Sequence, residues 1–106
     1  MPNLFSLPDN LPDEEMQEPL ISDRGILIER IVSSGQTTPA GEWYDQDRDE
    51  WVVLLQGEAR LTYADGRELE LRTGDHVLIP AHERHRVDAT SRDPACIWLA
   101  VHGPLT

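Results

Sequence analysis

The sequence predicts an all-β fold, a sandwich or barrel of short strands. Three observations lead there. Apolar-rich stretches recur roughly every eight to twelve residues with turn signals between them. No long segment repeats its apolar residues at the helical period. Two separated segments, one around Tyr44 to Glu50 and one from Gly74 to His85, lie among strand-like stretches and would aim polar side chains at a common interior.

Taken in chain order, residues 1–22 carry four of the eight prolines and several carboxylates. They read as a partly ordered N-terminal arm in front of a barrel domain over 23–106. Asp13 to Glu18 has the composition of one helical turn, with Asp13 as N-cap and Pro19 as stop. Leu4, Phe5, Leu7, Leu20 and Ile21 could pack on the body.

Ile26 to Val32 is β-branched and mostly apolar, and Ser33-Ser34-Gly35 ends it. Thr37 to Tyr44 reads as extended, with Pro39 and Gly41 marking an edge or a bulge. Asp47-Arg48-Asp49 suits a turn, and Glu50 opens the next strand. Trp51 to Leu55 is apolar at every position, as for a strand covered on both faces. Ala59 to Tyr63 alternates, Asp65-Gly66 is a hairpin turn, and Leu69 and Leu71 alternate on the return. Thr73-Gly74-Asp75 turns into Val77-Leu78-Ile79, which Pro80 closes. His85 to Thr90 alternates again, and residues 95–102 form the last strand.

Composition narrows the function. A chain of 106 residues is one domain by length. With 20 acidic and 9 basic residues its formal charge is −11, which disfavours nucleic acids and anionic membrane surfaces as partners. No apolar run approaches the ~20 residues that span a bilayer. The N-terminus lacks the cationic and apolar regions of a signal peptide, so a cytoplasmic protein is expected. The single Cys96 allows no internal disulfide and, inside an apolar run, reads as a buried thiol.

Successive strand side chains point to opposite faces, so Tyr44 and Gln46 share one, and Glu50, Val52 and Leu54 share another. If that second face is interior, Glu50 is a carboxylate in an apolar setting and needs a partner. His85 is the best candidate, because Val87 and Ala89 continue its face. His82, three residues earlier, reads as a rim residue able to touch a ligand at the pocket mouth. His76 reads as exposed, and His102 is given no role. Asp45-x-Asp47-x-Asp49 has the opening spacing of an EF-hand loop, but Glu50 and Gln56 stand where that loop needs Gly and Glu.

These motifs resemble those of the small single-domain cupins over about residues 25–102. The first cupin motif runs His-x-His, three or four residues, Glu, six residues, Gly. Here Glu50 and Gly57 match, while Tyr44 and Gln46 stand at the two His positions. The second runs Gly, five residues, Pro, one residue, Gly, two residues, His. Gly74, Pro80 and His85 match, and His82 replaces the inner Gly. The resemblance implies a double-stranded β-helix, or jelly-roll barrel. It also implies a divalent transition metal (Mn, Fe, Ni or Zn) held by Glu50, His85 and Gln46, with Tyr44 in the remaining place. A neutral amide is a weak ligand for such metals, and a phenol must lose a proton to bind well. The expected function is therefore binding of a small-molecule ligand in a pocket lined by Tyr44, Gln46, Glu50, His82 and His85. The alternatives are a metal-dependent dioxygenase, isomerase or epimerase, and a sugar-related, metal-free isomerase or epimerase using His85 and Tyr44 as an acid–base pair. The doubly apolar strand Trp51 to Leu55 and the apolar arm predict a homodimer.

Overall fold

The computed structural model describes residues 1–106. It holds eight strands and no helix: β1 (Met16–Pro19), β2 (Leu27–Ser33), β3 (Asp49–Gln56), β4 (Glu58–Tyr63), β5 (Glu68–Arg72), β6 (His76–Ile79), β7 (His85–Thr90) and β8 (Cys96–Gly103). Five form one sheet in the order β1-β2-β8-β3-β6, and three form a second in the order β5-β4-β7. Every pairing is antiparallel. The two sheets close face to face as a jelly-roll barrel.

The alternation read from sequence places the core. Val52 and Leu54 of β3, Ala59 and Leu61 of β4, Leu71 of β5, Ile79 of β6, and Cys96, Trp98 and Ala100 of β8 form one buried cluster between the sheets. Cys96 is a free, buried thiol whose Sγ donates to the Glu58 carbonyl at 3.1 Å. Gly57, between β3 and β4, has φ +98°, and a Cβ there would lie 2.8 Å from Ser91 Oγ and 2.9 Å from Cys96 Sγ. No other residue fits that corner without displacing its neighbours.

Three local expectations change. Asp13 to Glu18 is not a helical turn: Met16–Pro19 instead pairs residue for residue with Val32 back to Glu29. A single isolated turn gains little, whereas the open edge of β2 supplies backbone partners and an ion pair from Arg30 to Glu18 at 2.6 Å. Arg30 Nη1 also donates to the Leu4 and Ser6 carbonyls, tying the first residues down. Thr37 to Tyr44 is not a regular strand. It follows β7 through single contacts, Thr38 N to the Val87 carbonyl and a two-way bridge between Tyr44 and His85. Pro39 and the turn at Ala40-Gly41 prevent continuous pairing. Asp49 is not in a turn but opens β3, buried beside Glu50. Its carboxylate accepts from Ala81 N, Leu105 N, Thr106 N and Thr106 Oγ1, donors that hold it below the usual carboxylate range. It thereby fastens the loop after β6 and the C-terminus to the start of β3.

Candidate functional site

A half-open cavity of about 240 Å³ lies between the sheets. Tyr44, Gln46, Glu50 and His85 all line it. Glu50 and His85 come from strands of opposite sheets, β3 and β7. Glu50 is 7% exposed and His85 is 4% exposed, and His85 Nε2 lies 3.9 Å from Glu50 Oε1. His85 Nδ1 donates to the Glu83 carbonyl at 2.9 Å, which fixes the ring orientation. The Tyr44 ring stacks on His85 with centroids 5.5 Å apart.

His82 does not line the cavity. Its backbone has φ +65°, the left-handed conformation that favours glycine. This is the position where the second motif carries its inner Gly. The ring is carried to the surface, where Nδ1 sits 2.8 Å from Asp45 Oδ1. His76 is also on the surface, where its Nδ1 accepts from Trp51 Nε1 at 3.3 Å.

Two further site residues carry no motif. Glu29 of β2 and His102 of β8 face the cavity, each 8% exposed. Register explains this: His102 lies directly across β3 from Glu50, and Glu29 is opposite Ala100, two residues before His102. His102 Nε2 donates to Glu29 Oε1 at 3.0 Å and stands 3.8 Å from Glu50 Oε2. Glu29, His102, Glu50 and His85 thus form a successive chain of carboxylates and imidazoles. The sequence signal was a titratable residue on the inward face of a mostly apolar strand, present twice. Glu15 and Gln17, from the arm, complete the lining. Glu15 Oε2 accepts from Ser33 Oγ at 2.7 Å, and Trp98 Nε1 donates to the same hydroxyl at 3.2 Å.

Burial pushes the Glu50 carboxyl above its usual range, against the pull of His102 and His85. Burial also raises the Tyr44 phenol, with Glu15 and Glu50 adding to the effect. The residues present do not fit a metal centre. Gln46 offers only a neutral amide, a weak ligand for transition metals. His102 Nε2 is already committed to Glu29. No three His, Cys, Asp or Glu side chains converge in a way that could hold an ion.

The family model of the cupin domain matches residues 31–102, most of the chain and both motifs. The chain is a cupin. A crystal structure from Ralstonia eutropha JMP134, of a protein assigned provisionally as a mannose-6-phosphate isomerase, is 40% identical to this cupin. That match covers 98% of this chain and 97% of the other, with a TM-score of 0.90. A cupin superfamily protein from Desulfitobacterium hafniense DCB-2 is 20% identical over 91% of this chain and 83% of its own, with a TM-score of 0.75. The polyketide cyclase RemF from Streptomyces resistomycificus is 23% identical over 85% of this cupin and 65% of its own length, with a TM-score of 0.70. At those identities the last two share the fold alone. No curated protein sequence matches this cupin.

Proposed function

We infer that this cupin binds a small molecule between its sheets, with Glu50 as the polar anchor. One observation carries the reading: a carboxylate more than nine-tenths buried lines an accessible cavity, and neither of its oxygens has a protein hydrogen-bond partner. Both oxygens are reachable from the cavity, so what fills the cavity, solvent or a ligand, supplies their partners. The metal-dependent alternative has no support in the donor set.

A second reading has one observation in its favour. A buried carboxyl with a raised proton affinity, set between two imidazoles, suits proton transfer as in a metal-free isomerase. The provisional assignment of the Ralstonia relative is likewise to an isomerase.

The test uses Glu50→Gln and the indole N–H signal of Trp98, which lines the same cavity. Small-molecule fragments that bind should move that signal in the wild type. The variant should be more stable by about 1 kcal/mol at pH 7, since function-bearing groups often sit at a cost to stability. The sign follows from the raised carboxyl. As pH climbs past the ordinary glutamate value the unfolded chain ionises first, so the native state loses stability up to its own higher value. The gain should therefore vanish below about pH 4. A fragment library that leaves Trp98 unmoved, or a Glu50→Gln variant less stable than wild type at pH 7, would reject the reading.

We further infer a homodimer through the outer face of the five-stranded sheet. Trp51 pairs across strands with Val101 and Leu78, and Val53 with Leu99, giving a continuous apolar row in which Leu78 is 41% exposed. Sedimentation at micromolar concentration should show twice the 12.0 kDa chain mass; a 12.0 kDa species alone rejects it.

A further inference from the structure

We propose that the cavity receives a small organic cation, a protonated amine on an apolar body, and that Glu50 and His85 hold its ammonium group. The proposal rests on the small-molecule reading above and names the class of molecule bound.

Hydrogen-bond bookkeeping supplies the first argument. His85 Nδ1 donates to the Glu83 carbonyl, so the neutral ring turns the lone pair of Nε2 toward Glu50. Two acceptors then face each other across 3.9 Å, too far apart to bond directly even if one were protonated. The other Glu50 oxygen faces His102 Nε2 at 3.8 Å, and that nitrogen already donates to Glu29. What fits between such acceptors is a group with several donors and no acceptor. An ammonium has three N–H bonds and no lone pair, whereas a hydroxyl brings one donor.

Charge supplies the second. The lining contains three carboxylates, Glu15, Glu29 and Glu50, against two imidazoles. With every carboxylate ionised and both imidazoles protonated, one negative charge remains unmatched. The chain has no lysine, and none of its nine arginines lines the cavity. A phosphate group would meet no lysine or arginine there, and its charge would face three carboxylates. The overall charge of −11 steers cations toward the molecule. Half of the lining residues are apolar, Ile31, Val52 and Val87 among them, and suit the body of the ligand.

The test titrates the full chain with three matched probes, benzylamine, benzyl alcohol and benzyl phosphate, and with mannose 6-phosphate. The readouts are calorimetry and the Trp98 indole signal. Benzylamine should bind at least tenfold more tightly than benzyl alcohol, and neither phosphate should bind measurably. Glu50→Gln should cut the preference for amine over alcohol to less than threefold without weakening the alcohol. The wild-type ratio of amine to alcohol is decisive even if that variant does not fold. Equal binding of amine and alcohol, or tighter binding of either phosphate, overturns the cation and leaves the small-molecule reading standing. Silence of these probes beside a Trp98 response to other, uncharged fragments does the same. Silence of every probe and of a fragment library overturns both.

Discussion

Replacing His102 with alanine is expected to cost about 3–5 kcal/mol of folding stability, the penalty for leaving a buried carboxylate without its hydrogen-bond partner. His102 and Glu29 are each 8% exposed and are joined at 3.0 Å. Without the imidazole, Glu29 stays buried with its hydrogen bond gone, and Glu50 loses one of the two groups that favour its ionised form. For a domain whose total stability is about 5–15 kcal/mol, that is a large fraction. Urea denaturation of the variant beside wild type measures it. The double variant Glu29→Leu, His102→Leu should recover most of the loss, because the unpaired charge is removed with its partner. A loss under about 1 kcal/mol in the single variant would show that the pair is solvated and that the site is wetter than its geometry implies.

The second large effect concerns Trp98. It is 5% exposed, packs in the core cluster and forms part of the cavity wall. Trp98→Ala should lose about 3–5 kcal/mol through the hole it leaves. Trp98→Phe keeps most of the packing and deletes the N–H that reaches Ser33, so it should lose only about 1 kcal/mol. The contrast separates packing from hydrogen bonding. Similar losses in both variants would mean that the Ser33 hydroxyl, which also binds Glu15, holds this corner together rather than the bulk of the indole.

The strands of the barrel were legible because burial on one face writes an alternating pattern, as in Ala59 to Tyr63, and because Asp65-Gly66 and Gly57 punctuate it. Glu50 and His85 were legible through motif spacing. Glu29 and His102 were not. Each is a titratable residue within a mostly apolar strand, and only the register of β2, β8 and β3 brings them to Glu50. Alternation says which face a residue takes but not which residue it meets. His82, read as a rim residue, lies outside the lining itself: its left-handed backbone turns the ring to the surface, and a histidine letter does not announce that geometry. The strand β1 was hidden by composition, since an acidic stretch ended by proline reads as a helical turn until an open sheet edge is there to pair with it.

That edge strand has a consequence for how binding preference can change in this fold. Glu15 and Gln17 reach the interior from a segment that lies outside the span matched by the family model and that closes neither sheet against the other. Selectivity can therefore drift by rewriting an appendage, with the buried core cluster left intact. Two relatives with near-identical barrels and unlike leading segments should then differ in what they hold.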